Sequence, residues 1–372
     1  MKVTVEQSTL LKSLAHVHRV VERRNTIPIL SNVLLRAAGG SLQLKATDLD
    51  IEVVETLSAE SSVDGAITVP AHMIYDIVRK LSDGAQVSLE TGVDATQLII
   101  KSGRSRFTLQ ALPEHDFPDM AAGDLSHRFS IAAGEMQRLI EKTQFAISTE
   151  ETRYYLNGIY MHTVDTDAGV MLRAVATDGH RLARSELPSP AGAAGMPGII
   201  VPRKTVAEVL KLVAESEGDI LVELSTAKIR FAIGNVLLTS KLIDGTFPDY
   251  TRVIPVGNDK RLVVERADFT RSVDRVSTIS SERGRAVKLS LGDGKLTLSV
   301  NNPDAGNAVE EIEVDYDAGG IEIGFNARYL LDIANQLEGD TTLFKLADAS
   351  SPTLIQDREG ASTLYVLMPM RV

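Results

Sequence analysis

The chain has 372 residues, 44% hydrophobic and 24% charged, with a net charge of −11. These are ordinary values for a globular protein, and no apolar run approaches the ~18 residues of a membrane-spanning helix. The absence of cysteine excludes disulfides, thiolate zinc sites and thiol nucleophiles, and fits the cytosol. The acidic total argues against a grip on nucleic acid through bulk charge.

The chain starts directly into a strand, with no apolar signal region before it. Val3-Thr4-Val5 alternates and runs into an amphipathic helix from Leu10 to Val21. Ser41 to Ala46 has the period of two that suits a half-buried strand. Ile67 to Pro70 then opens a second helix with apolar positions Ile74, Ile77, Val78 and Leu81, one face at i, i+3, i+4, i+7. The same two units return. Phe129-Ser130-Ile131 leads into Met136 to Ile147, and Ile200-Val201-Pro202 into Val206, Val209, Leu210 and Val213. Leu262-Val263-Val264 leads into Phe269 to Ile279, and Ile321 to Asn326 into Leu330, Ile333, Ala334 and Leu337. Gly39-Gly40, Asp83-Gly84, Gly218-Asp219, Gly292-Asp293-Gly294 and Gly339-Asp340 punctuate the turns.

The second-helix set begins four residues after Pro70, Pro202 or Asn326, so the period is 132 and then 124 residues. Each copy is the size of a domain with its own core. The sequence therefore predicts an α+β chain of three repeated domains at 1–122, 123–256 and 257–372, each an antiparallel sheet with two helices on one face. The linkers are short, Asp119 to Asp124 and Pro255 to Asp259, and Pro188 to Gly198 reads as a mobile surface loop. Sheets that continue from copy to copy cap the internal edges. The outermost edges of copies one and three stay free, and a closed head-to-tail ring satisfies them.

The charge is unevenly placed. The six helix windows together carry +7, although the whole chain carries −11. Basic helices on one shared surface suit a polyanion, whereas solvated helix faces explain the same charges separately. No convincing catalytic site emerges. Gly294-Lys295 lacks the rest of a phosphate loop, and His16 and His18 point to different helix faces. The pairs Asp48/Asp50 and Asp116/Asp119 read as turn residues. No cofactor or metal is expected. Ala176 to Ala183 looks most like a functional motif: a Thr-Asp-Gly turn presenting His180, a donor in Arg181 and an apolar wall in Leu182. The end, Tyr365 to Val372, is apolar and methionine-rich. A final core strand explains it up to Leu367 but not Met368-Pro369-Met370.

Several segments together resemble the bacterial DNA polymerase III beta subunit family over essentially the whole chain. They are Thr26 to Leu30, Thr47-Asp48-Leu49, Ser102 to Phe107, Arg153 to Gly158, Ala176 to Ala183, Ile200 to Lys204, Phe247 to Tyr250, Asn301-Asn302-Pro303 and Met368 to Arg371. The resemblance implies a head-to-tail homodimer, a ring of six clamp domains with sheets outside and helices inside around double-stranded DNA. It implies DNA contacts at Arg24, Tyr154, Tyr155, Arg203, Lys204 and Lys211. It implies a cleft for clamp-binding peptides of the replicative polymerase, the clamp loader and repair proteins. The cleft would use Tyr155, Leu156, Thr177, Gly179, His180, Arg181, Leu182, Pro248, Arg252, Val253, Val366, Met368, Pro369, Met370 and Arg371. The dimer contact would pair Arg104 and Arg106 with acids such as Asp304 and Glu310 around Ile279. The family acts as a processivity subunit without catalysis, in the cytoplasm and away from membranes. Two rivals remain at this point: a carboxylate-dependent hydrolase using Asp48, Asp178 or His180, and a multivalent scaffold that never encircles DNA.

Overall fold

The computed structural model describes residues 1–121, 123–280 and 286–372; Ala122, in the expected first linker, lies outside the described residues. The strand–helix pattern occurs three times along the chain, built from antiparallel sheets with few helices. The helices are α1 (Gln7–Val17), α2 (Ala71–Arg79), α3 (Ala133–Gln144), α4 (Arg203–Ala214), α5 (Arg266–Ser277) and α6 (Ala327–Ala334). Among the described residues no helix is long and apolar enough to cross a membrane.

Helix starts follow local chemistry. The Glu6 carboxylate accepts from the Thr9 amide at 3.0 Å and caps α1. Hydrogen bonds from Ser8 and Thr9 hold its pKa down at about 2. Glu265 caps α5 in the same way, and Asn326 caps α6 by accepting from Arg328 at 3.0 Å. Pro70 and Pro202 occupy the slot of Asn326 in the other two copies.

Helix ends depart from the sequence expectation. α1 stops at Val17, and His18–Val20 form a 3-10 turn, so Arg23 and Arg24 sit in a loop and not on a helix. The β-branched pair Val20-Val21 disfavours a further α turn. α2 and α6 also end before their last apolar positions. The Leu81 amide reaches the Val78 carbonyl at 3.2 Å and Leu337 reaches Ala334 at 3.3 Å, so a tighter turn carries Leu337 into the core and leaves Leu81 half-buried.

The chain divides into two compact units. The first comprises 1–137, 190–193 and 204–242; the second comprises 138–189, 194–203 and 243–372. The central repeat is thus shared. The reason is the two eight-stranded sheets, each of which runs across a repeat boundary. In the first unit an eight-stranded sheet joins Val236–Lys241 of the second copy to Ile51–Ser58 of the first, with Leu238 opposite Val53. In the second unit another eight-stranded sheet joins Thr363–Leu367 of the third copy to Arg181–Pro188 of the second, with Tyr365 opposite Ala183. All four partners at these registers are fully buried, which holds each register against a one-residue slip.

Two smaller sheets remain. The first unit has a five-stranded sheet ending on Ser105–Gln110, and the second has a four-stranded sheet ending on Gly306–Glu313. Both end strands are open edges, with Phe107 37% and Val309 68% exposed. The stretch Pro188 to Gly198 is not a free loop. It buries Ala193 and Met196, because small and apolar side chains there reach the core.

Candidate functional site

Arg181 organises the site in the second unit. The turn after strand Gly169–Thr177 closes on its own side chains. Asp178 Oδ1 accepts from the amides of His180 at 2.9 Å and Arg181 at 3.0 Å, and the Thr177 hydroxyl donates to the Arg181 carbonyl at 2.7 Å. The Arg181 guanidinium folds beneath the turn. Its Nε donates to Asp178 at 3.1 Å, Nη1 to Asp332 at 2.6 Å and Nη2 to the Phe145 carbonyl at 2.7 Å, while its face covers the Tyr329 ring at 4.2 Å. Three of the five N–H donors of the guanidinium are spent inside the protein and its face is covered, so Arg181 braces the turn from within while it also lines the cleft.

Gly179 sits at φ +88°, and a Cβ there would stand 2.5 Å from Arg153 Nη1. Arg153 is held by a two-pronged bond to Glu150 at 2.8 and 2.6 Å, and that arginine keeps the Glu150 carboxyl below its usual range.

Around this turn lies a cleft of about 260 Å³. Leu156, Leu182, Tyr250 and Val366 form part of a buried apolar cluster with Phe247 and Val175, and they also line the cleft. The cleft is therefore the uncovered end of a hydrophobic core. Tyr155, Thr177, Gly179, His180, Arg181, Pro248, Val253 and Met368 complete the wall as the sequence expects. Arg252, Pro369, Met370 and Arg371 do not line it. Arg252 extends outward on Asp249 at 2.9 Å. Sequence reasoning missed Arg153, Asp249 and Tyr250, although each lies within two residues of one it chose. Tyr250 is fixed from behind: its hydroxyl lies 2.9 Å from His162 Nε2 and 3.3 Å from Arg173 Nη1.

The C-terminal segment forms the rim. The Met368 amide still reaches the His180 carbonyl at 2.9 Å. Pro369 cannot donate, and the chain then crosses to Ile321–Asn326, where the Met370 amide bonds the Gly324 carbonyl at 2.9 Å. Gly324 is required by this approach, because a Cβ would lie 2.6 Å from the Met370 carbonyl oxygen. The methionine-rich end that a core strand did not explain is thus a tail laid against a second sheet.

The other expected residues divide by environment. Arg24, Arg203 and Lys211 are exposed, and Tyr154 is 53% exposed with its ring edge-on to Tyr155. Lys211 is paired with Glu208 at 2.7 Å. Lys204 is not a free cation. Its ammonium bonds the Val20 carbonyl at 3.1 Å, Glu22 at 2.5 Å and Asp48 at 2.6 Å. Burial opposes its charge, but these carboxylates outweigh burial and raise its pKa. Asp48 and Asp178, the rival acids for hydrolysis, are both committed to turn and ion-pair contacts.

Arg104, Arg106 and Asp304 are exposed and Ile279 is half-buried. Glu310 is already engaged: Ser272 donates to it at 2.7 Å and Arg275 Nε at 3.0 Å, which hold its pKa down at about 2. It faces the side of Leu298, its ladder partner, toward α5.

Comparison with known proteins agrees with this architecture over its full length. The chain matches the DNA polymerase III beta subunit N-terminal domain over residues 1–121, its central domain over 130–249 and its C-terminal domain over 251–371. It is 55% identical to the beta sliding clamp of Caulobacter vibrioides and 38% identical to that of Escherichia coli K12, in each case covering all of both chains. It superposes with a TM-score of 0.97 and 57% identity on the Bartonella birtlesii sliding clamp bound to griselimycin, covering all of both chains. With three matched domains and 55% identity over the full length, the chain belongs to the DNA polymerase III beta subunit family of sliding clamps.

Proposed function

We infer that the chain is a replicative sliding clamp: two copies join head to tail into a ring around double-stranded DNA. The copies 1–122, 123–256 and 257–372 supply its six segments. The cleft of the second unit holds short apolar peptides, through which the replicative polymerase, the clamp loader and repair proteins are tethered beside the DNA. Tethering raises their effective concentration at the primer end. The clamp does no chemistry, uses no cofactor and works in the cytoplasm.

The observation that carries the ring is the inventory of sheet edges. Two junctions inside the chain pair equivalent strands in one register, Leu238 on Val53 and Tyr365 on Ala183. One strand of each kind is left over, Ser105–Gln110 in the first copy and Gly306–Glu313 in the third. Carrying the internal register across two chains sets Phe107 opposite Ala308 of the second chain, and Ser105 opposite its Glu310. A groove of about 430 Å³ beside the Ser105 edge, lined by Met73, Ile77, Leu81 and Phe107, receives the apolar side of the seam. Ile279 belongs there. Its counterparts Val20 and Ala146, each fourteen residues past the residue before the first helix of its copy, are fully buried. In this register Arg104 and Arg106 face the outer acids Glu311 and Glu313 more directly than Glu310.

Arg24, Arg203, Lys211 and the Tyr154 ring face the duplex, and Lys204 ties the loop at Glu22 to α4. Few free cations and an acidic exterior suit a ring that positions DNA without gripping it. Sedimentation at micromolar concentration tests the reading. The expected mass is twice that of the chain, and a stable monomer contradicts it.

A further inference from the structure

The two junctions inside the chain share an electrostatic latch, and the junction between chains has half of one. The first helix of each copy carries a cation ten residues past the residue that precedes it: His16 after Glu6, Lys142 after Ala132, Arg275 after Glu265. In the first two copies this cation meets an acid just beyond the second helix of the next copy. His16 Nε2 lies 3.1 Å from Glu215, and Lys142 Nζ lies 2.7 Å from Glu338. Each acid follows the last apolar position of its helix, Glu215 after Val213 and Glu338 after Leu337.

The third copy is built like the first. Ser13 donates to Glu55 at 2.9 Å while His16 Nδ1 contacts the same carboxylate at 2.8 Å. Ser272 donates to Glu310 at 2.7 Å while Arg275 Nε bonds that carboxylate at 3.0 Å. Glu55 and Glu310 are equivalent by register, opposite Leu44 and Leu298. What α5 lacks is the acid from a following copy. Arg275 is 56% exposed, and among the described residues its Nη1 has no hydrogen-bond partner.

In a head-to-tail dimer the copy that follows is the first copy of the second chain. Its acid at the equivalent place is Asp83, two residues after Leu81 in the exposed turn beyond α2. A second count agrees. The Ala85 carbonyl accepts from the first amide of α1, Gln7, at 2.9 Å, and the Asp340 carbonyl accepts from the first amide of α5, Arg266, at 2.8 Å. Asp83 and Glu338 each lie two residues before that carbonyl.

We propose that Arg275 of one chain and Asp83 of the second chain form an ion pair that latches the seam between chains. The inference rests on the ring reading. Arg275 then holds Glu310 on its own chain with one edge of the guanidinium and Asp83 across the seam with the other. A hydrogen-bonded arginine–carboxylate pair at a partly covered junction controls how long the seam stays closed.

The test is a double-mutant cycle on the full-length protein, with dimer dissociation measured by analytical ultracentrifugation. Asp83→Asn and Arg275→Gln are each expected to weaken the dimer, about tenfold per seam, and the double variant no further than the stronger single one. Independent, additive losses overturn the latch. Asp83→Arg changes only an exposed turn and guards against damage to α5 by the Arg275 substitution. It is expected to weaken the dimer well beyond Asp83→Asn, and equal effects from the two also overturn the latch. A wild-type protein that is monomeric throughout defeats the ring and the latch together, whereas a wild-type dimer indifferent to these changes defeats the latch alone.

Discussion

At the scale of single residues, His16 is the titratable member of the first junction. Burial works against its charge, yet the carboxylates of Glu55 and Glu215 outweigh burial and raise its pKa above the ordinary histidine value. A raised folded value means the stabilisation is complete below the unfolded value of about 6.5 and fades as pH climbs through the folded one. His16→Gln is therefore expected to cost about 1–2 kcal/mol at pH 6 and progressively less at higher pH. Urea midpoints across pH 6 to 9 check this, and parallel curves for the two proteins contradict it. At the cleft, Gly179→Ala forces a side chain onto Arg153 at positive φ, a strain of about 1 kcal/mol or more. Peptide affinity measured by fluorescence anisotropy is expected to fall with the thermal midpoint nearly kept; unchanged affinity counts against the turn as part of the site. The sequence made the Thr-Asp-Gly-His-Arg turn conspicuous. It could not disclose that Arg181 also braces the turn from within, because Asp332, Phe145 and Tyr329 are remote in sequence.

At the scale of elements, the sequence disclosed the six α-helices of the described residues, and for the second helix of each copy three independent runs of i, i+3, i+4, i+7 constrain one another. It misjudged their ends, because a buried leucine can ride on a 3-10 turn as well as on an α turn. The strand junctions were legible only as a problem of free edges, and their register depends on burial of partners such as Val53 and Leu238. The C-terminal tail was legible as an anomaly, while its docking place was not, since nothing in Met368-Pro369-Met370 names Gly324. That docking yields an element-scale prediction. Gly324→Ala would place a Cβ 2.3 Å from Val372 and 2.6 Å from the Met370 carbonyl, so the tail must lift. Peptide binding is expected to weaken about tenfold, worth ~1.4 kcal/mol, with the dimer intact. Loss of the dimer without loss of peptide binding would place the tail elsewhere in the mechanism.

At the scale of the whole molecule, the triplication explains why a chain without an active site needs three domains. Each domain lends half a sheet to its neighbour, and the last half-sheet of one chain lacks a neighbour until a second chain arrives. Phe107→Asp, on the free edge at the apolar groove, is expected to yield monomers that still bind clamp-binding peptides with unchanged affinity. A fully dimeric variant contradicts the assignment of that edge. The acidic total, which first argued against DNA, agrees with a ring that holds its track by topology and not by adhesion. The decisive measurement is retention on DNA after loading by a clamp loader. The protein is expected to remain on closed circular DNA in about 0.5 M salt, where phosphate contacts are largely screened, and to leave within minutes once the circle is cut. Equal loss from circular and linear DNA would contradict encirclement.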